Sequence, residues 1–329
     1  MTLSTLIREG LPVVRPTDLL TEDHPWRGWP PTRRWRHSAW LRAGAFLLLL
    51  FVAEIIFMSG YLAVFGFGAM SIDASTGSIS FNPATLPYIS QLFSAVVAYV
   101  VLVFVMESRV WPHELAPRRL AGLLKGLLLG LLLISLCVGV LAVAGVYRVR
   151  SVNWGYDPWQ DLLLFGLVAG VSEEIFFRGV LFRLVEEGLG GLGAVAVSAL
   201  CFGGVHVMNS DGTWWGAAAI AIEAGVLFGA VYALTRSLWW CIGLHFAWNV
   251  AEGPVFGSIV SGTGQADSWL VSTWTGPEIL TGGSFGLEAS IVPVVLFGLL
   301  GVALLGYARR RGCLVAPVWA RKKALAQGT

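Results

Sequence analysis

Eight long apolar runs dominate the sequence and constrain its fold more than any other feature. Each run has about the length, roughly 20 residues, that an α-helix needs to cross the hydrocarbon core of a bilayer. Inside a bilayer the backbone polar groups must be satisfied within the segment, so such runs form helices. We therefore predict an all-α polytopic membrane protein with about eight transmembrane helices, over residues 43–68, 88–106, 121–147, 161–185, 191–208, 214–234, 237–256 and 289–308.

The composition agrees with this fold class and excludes several others. Hydrophobic residues make up 56% of the chain and charged residues only 13%, whereas soluble globular proteins carry about 25% charged residues. A net charge of +2 is too small to indicate nucleic acid as a partner. The cysteines contain no CxxC pair and are interpreted as small buried hydrophobic residues.

The Lys and Arg residues predict the orientation of the chain, because they concentrate on the cytoplasmic side of short connections. They lie before the first run, in the second, fourth and sixth connections, and after the last run. The first, fifth and seventh connections have none, and only the third, with Arg148 and Arg150, departs from the pattern. We predict an integral membrane protein, surrounded by the lipid bilayer, with both termini in the cytoplasm.

The same features divide the chain into three parts. Residues 1–42 are a cytoplasmic head in which Trp and Arg alternate, as in HPWRGWPPTRRWRHSAW, and we interpret it as an interfacial anchor. Residues 43–308 are the eight-helix membrane domain, and residues 309–329 are a basic cytoplasmic tail. The outer connection 257–288 is rich in Gly, Ser, Thr and Trp and is predicted to be either a lid or a plain loop.

Few ionisable side chains lie inside the apolar runs, and each needs a reason because charge at membrane depth is costly. Isolated Glu54 and Glu223 are interpreted as structural or as facing a polar interior. Lys125 is close enough to the cytoplasmic start of the third run to reach the lipid headgroups. The polar groups that point to chemistry lie in VSEEIFFRG, FGGVH and GLHFAWN, and they are Glu173, Glu174, Arg178, His206, His245 and Asn249.

Helical geometry separates the two adjacent carboxylates. Glu174 and Arg178 are four residues apart, which places them on one face and predicts an ion pair. Glu173 is rotated by about 100° from Glu174 and shares a face with Gly166 and Gly170, where a second helix can approach closely. One carboxylate is therefore neutralised, whereas the other is available for chemistry.

The other polar groups have complementary chemistry. A carboxylate and an imidazole can activate water, and the imidazole and carboxamide of His245 and Asn249, at i and i+4, can donate to one oxyanion. These groups predict a site that hydrolyses amides. The sequence contains no HExxH zinc motif and no intramembrane Asp pair.

Three short motifs occur in order in separate apolar runs. They are EExxxR at Glu173, Glu174 and Arg178, FxxxH at Phe202 and His206, and HxxxN at His245 and Asn249. In order and spacing they resemble the CAAX protease and bacteriocin-processing (CPBP, or Abi) family of intramembrane glutamic endopeptidases. The resemblance covers residues 161–255, and the later stretch GPEILTGGSFGLEAS is similar to a segment of many bacterial members.

The resemblance implies a fold, a location and a role for each residue. The fold would be a CAAX-prenyl-protease-like helical bundle in a bacterial inner (plasma) membrane, and the substrate a membrane-embedded or membrane-associated protein or peptide. No cofactor and no metal would be required. Glu173 with His206 would activate water, His245 and Asn249 would hold the oxyanion, Glu174 with Arg178 would fix the fourth helix, and Phe202 would pack beside the site.

Two other functions stay open at this level. In a proton-coupled permease, Glu173, Glu223 and the histidines would relay protons along a polar path. A non-catalytic bacteriocin-immunity or scaffold protein of the same fold would bind a partner without cleaving it.

Overall fold

The computed structural model describes residues 38–66, 70–72, 79–81, 85–107, 109, 111–264, 267–320 and 323. The predicted anchor in the head falls almost entirely on residues 1–37 and so lies outside the described residues, as does most of the tail after Ala320. The division into head, membrane domain and tail stays a prediction.

Helices make up 76% of the structure, and the long ones are numbered here in chain order. They are α1 (Ala39–Phe65), α2 (Leu86–Val100, continued by Val101–Met106), α3 (Ala121–Val143), α4 (159–182), α5 (Arg183–Val205), α6 (Trp214–Thr235), α7 (Leu238–Val250, continued by Ala251–Val255) and α8 (Ile291–Arg310). Four short strands accompany them, namely β1 (Met70–Ile72), β2 (Ile79–Phe81), β3 (Tyr147–Val152) and β4 (Leu270–Trp274).

Six helices of the described chain are long and apolar enough to cross a membrane, which confirms the polytopic helical bundle. One of the six, Trp159–Met208, joins α4 to α5 over 50 residues. The chain breaks inside α5, at Gly190, whose backbone (φ 74°, ψ −179°) is not helical and is accessible only to glycine without strain. The count of eight spanning helices stays a prediction.

Glycines bring α7 into backbone contact with α3. A Cβ atom added at Gly126 would lie 2.3 Å from the carbonyl oxygen of Trp240, and one added at Gly243 would lie 2.2 Å from that of Leu123. Small residues at a helix interface allow such an approach, and van der Waals packing then holds the helices together in lipid. This contact fixes α7 at the centre of the bundle, with Trp248 almost fully buried.

Buried ion pairs hold together one end of the bundle, here named the basic end. The Nη1 atom of Arg42, at the start of α1, lies 3.1 Å from Oε1 of Glu107, which follows α2. Arg183 at the start of α5 lies 3.0 Å from the same carboxylate. Burial alone would raise the pKa of Glu107, but Arg183, Arg109 and Arg42 outweigh it and lower that pKa.

The opposite end, here named the hairpin end, is built from the third, fifth and seventh connections. Strand β3 pairs with β4 in antiparallel fashion, with Tyr147 opposite Trp274. The indole of Trp215 donates to the carbonyl oxygen of Ala289 over 2.8 Å, and the amide of Asp211 donates to a carbonyl oxygen of the seventh connection. These contacts join the seventh connection to the third and fifth connections, and the choice between a lid and a plain loop stays a prediction.

The contact between α3 and α7 generates a stability prediction with a control on the same helix. We expect Gly126→Ala to destabilise the protein by about 1–3 kcal/mol, because the new methyl group overlaps the backbone of α7. At Gly139 no atom lies within 4 Å of an added Cβ atom. Because alanine also favours the helix more than glycine does, Gly139→Ala should leave stability unchanged or slightly higher. Thermal unfolding of both variants in detergent micelles measures the difference, and equal transitions would contradict the close approach.

Candidate active site

The Glu174 and Arg178 side chains form the ion pair that their spacing predicts. The Arg178 Nη1 atom lies 2.8 Å from Glu174 Oε1, and both side chains are fully buried. The guanidinium group also lies over the rings of Phe202 and Phe228, at 4.7 and 5.2 Å from the ring centres. Cation–π attraction adds to the ion pair in such a desolvated position. Phe202 therefore packs against the guanidinium group as well as beside His206.

Glu174 has a second partner that the sequence did not predict. The Nδ1 atom of His245 lies 3.0 Å from Glu174 Oε1, so the carboxylate joins α4 to α7. The close approach of α7 to α4 depends on Gly166, where an added Cβ atom would lie 2.6 Å from the ring of Phe246. The glycine face predicted on α4 is thus the face against which α7 packs.

This contact orients the imidazole of His245. A carboxylate that is paired with a guanidinium group accepts hydrogen bonds, so Nδ1 of His245 donates to Glu174. The other ring nitrogen, Nε2, then faces away from the ion pair and lies 4.0 Å from Glu173 Oε2. His245 is therefore placed between the two adjacent carboxylates of α4.

A cavity of about 280 Å³ brings four of the six predicted site residues together. Glu174 and Arg178 do not line it and lie behind its wall. The side chain of Glu173 is 23% exposed, and its Oε2 atom has no hydrogen-bond partner among the described residues. The four residues that line the cavity are Glu173, His206, His245 and Asn249.

His206 and Asn249 are each held by a backbone carbonyl group. His206 lies in the turn after α5, where its Nδ1 atom is 2.6 Å from the carbonyl oxygen of Phe202. The Nδ1 atom therefore donates, and Nε2 can accept a proton from a group in the cavity. The Nδ2 atom of Asn249 donates to the carbonyl oxygen of Phe165 over 3.0 Å, which leaves its second N–H hydrogen for another acceptor.

One residue of the cavity was missed by the reasoning from charge in the apolar runs. Glu288 lies in the seventh connection, is buried, and lines the cavity. Its carboxylate accepts hydrogen bonds from the indole of Trp248 over 3.1 Å and from the hydroxyl of Ser261 over 2.6 Å. The available signal was the stretch GPEILTGGSFGLEAS, which contains this glutamate.

The two isolated glutamates lie away from the cavity lining. Glu54 of α1 accepts hydrogen bonds from Ser90 and Ser94 of α2, the latter over 2.9 Å, and so joins two helices. Glu223 of α6 is fully buried, and neither of its carboxylate oxygens has a hydrogen-bond partner in the described part of the chain. The described residues contain no group of three or more His, Cys, Asp or Glu side chains that could hold a metal ion.

Comparison with known proteins identifies a family for part of the chain. Residues 155–251 match the family model for Rce1-like proteins, described as type II CAAX prenyl endopeptidase Rce1-like. The matched segment contains all three motifs, from Glu173 to Asn249. No curated protein matches the chain in sequence. The six apolar helices and this match identify an integral membrane protein that contains an Rce1-like domain, consistent with the CAAX protease and bacteriocin-processing family.

Proposed function

We propose that the protein is an intramembrane glutamic endopeptidase that hydrolyses a peptide bond of a membrane-associated or exported protein or peptide. The observation that carries this proposal is the single cavity lined by Glu173, His206, His245 and Asn249. The Rce1-like match supports a protease in general and does not favour the permease or the non-catalytic alternative.

Glu173 is the group best placed to activate water in this scheme. Its side chain lines the cavity and is 23% exposed, and Nε2 of His206 can accept from the same water. The water oxygen attacks the peptide carbonyl carbon while its proton passes to the carboxylate. The C–N bond then breaks as that proton is delivered to the leaving nitrogen.

His245 and Asn249 supply donors for the negative charge that develops on the carbonyl oxygen. Both line the cavity, and they lie one turn apart on α7. Asn249 offers its second N–H hydrogen. His245 can donate from Nε2 when both ring nitrogens carry protons, because Nδ1 already donates to Glu174. Fixed donors of this kind stabilise a tetrahedral intermediate without reorganisation.

Glu174 and Arg178 act as positioning residues under this proposal. Neither lines the cavity, but Glu174 holds His245 by its Nδ1 atom and thereby fixes which ring nitrogen faces Glu173. Their role therefore extends beyond the geometry of α4 that the family resemblance implied.

The first prediction for this function concerns Glu173. We expect Glu173→Gln to reduce peptide cleavage by roughly 100-fold or more, because the amide keeps the size of the side chain but cannot take a proton from water. Mapping of protein termini in membrane and secreted fractions, with wild type and variant at equal abundance, measures the loss. Termini found only with the wild type also name the substrate.

Glu54→Gln is the matched control for this experiment, since Glu54 is an intramembrane glutamate away from the cavity. It should leave the pattern of termini unchanged. Identical termini for the wild type and Glu173→Gln would contradict a glutamate-dependent protease.

The second prediction concerns the orientation of His245. Glu174→Gln keeps an oxygen for Arg178 but removes the negative charge that fixes the proton on Nδ1 of His245. We expect kcat to fall by about 10²- to 10⁴-fold with little change in KM, because the lost interaction acts in the transition state. The assay uses a peptide that spans a mapped cleavage site, with thermal unfolding as the check on folding. A rise in KM at unchanged kcat would contradict the positioning role.

A further inference from the structure

Contacts between connections show which of them share the basic end. The pairs described above join the start of α1, the second connection and the start of α5 at Glu107. Arg236, which follows α6, pairs with Glu186 of α5 and donates to the carbonyl oxygen of Cys313 over 2.9 Å. The start of α1 and the described residues just after α8 therefore lie at the same end as the second, fourth and sixth connections.

The two ends differ strongly in Lys and Arg. At the hairpin end the described residues contain only Arg148 and Arg150, which lie in β3. Positive residues near the ends of membrane helices favour the cytoplasmic side, and the acidic residues that accompany them contribute little to this preference. The arginines at the basic end are Arg42, Arg109, Arg118, Arg119, Arg183, Arg236, Arg309, Arg310 and Arg311.

The cavity belongs to the hairpin end. Apart from residues of the helices, its lining comes from the fifth and seventh connections. None of the described residues in the connections of the basic end lines it. The connection residues are Asn209, Val260, Ser261, Thr263 and Glu288.

The walls of the cavity at this end are fixed to each other. The Asn209 side chain donates to the carbonyl oxygen of Ser261 over 2.6 Å, and Ser261 in turn donates to Glu288. Thr263, in contrast, is an exposed residue at the rim of the cavity. The rim at Thr263 therefore lies at the hairpin end, outside the helices that are long and apolar enough to cross a membrane.

We infer that the active site opens on the extracytoplasmic side of the membrane and that its substrates are exported or membrane-anchored polypeptides with the scissile bond at the outer face. Polypeptide tails displayed in the cytoplasm would meet the basic end, which contributes no connection residue to the cavity. The substrate class rests on the proposed protease function, whereas the side on which the cavity opens does not.

Cysteine labelling tests the side of the cavity without any assay of activity. The background is Cys201→Ala, because Cys201 is exposed and the other three native cysteines are buried. Thr263→Cys reports on the cavity rim, and Arg310→Cys, at the exposed end of α8, reports on the basic end. A membrane-impermeant maleimide is added to intact cells and, separately, to permeabilised cells.

We expect Thr263→Cys to react in intact cells and Arg310→Cys to react only after permeabilisation. The reverse pattern would overturn the inference. In the mapping experiment with Glu173→Gln, the termini that depend on the wild type should fall in extracytoplasmic segments, and termini confined to cytoplasmic segments would also overturn it. The cysteines could also react as expected while no termini depend on Glu173. That result would refute the protease and the substrate class, but the cavity would still open on the extracytoplasmic side.

Discussion

The buried carboxylate of Glu174 is the interaction on which the arrangement of the site depends. A charge in the interior of a membrane protein is tolerated only with partners, and removing one partner leaves the other charge exposed to the full desolvation cost. Glu174 has two partners, Arg178 on its own helix and His245 on α7. Arg178 in turn reaches towards α6, where its Nη2 atom lies 3.4 Å from the carbonyl oxygen of Ala224. One carboxylate therefore joins α4, α6 and α7, all of which contribute residues to the cavity lining.

Such an interaction requires the helices to approach closely, and glycine makes this possible on both sides of α7. Gly126 and Gly243 allow contact with the backbone of α3, whereas Gly166 accommodates the ring of Phe246 on the side of α4. Helices in lipid gain little from the hydrophobic effect between them, so close packing and buried polar contacts supply the association energy. The position of α7 is thus determined by packing on two faces and by one polar contact.

The sequence was sufficient for the parts of the site that depend on regular helices. The pairing of Glu174 with Arg178 and the glycine face of α4 follow from helical periodicity, and both are present. The contact of His245 with Glu174 could not be predicted, because it depends on how α7 and α4 are rotated against each other. The place of Glu288 could not be predicted either, since the course of the connection before it is set by the pairing of β3 with β4, which no helical period encodes.

Two neighbouring glutamates have opposite surroundings, and the reason is geometrical. A step of one residue rotates a helical side chain by about 100°, so Glu174 turns towards Arg178 and His245 while Glu173 turns towards the cavity. The paired carboxylate supplies rigidity, and the carboxylate without a hydrogen-bond partner in the described structure supplies reactivity under the proposed mechanism. A carboxylate that was paired with Arg178 would be a poor base, because the guanidinium group stabilises its charged form. Under the proposed mechanism each residue of the EE pair therefore has its own task, with the histidine of α7 lying between the two carboxylates.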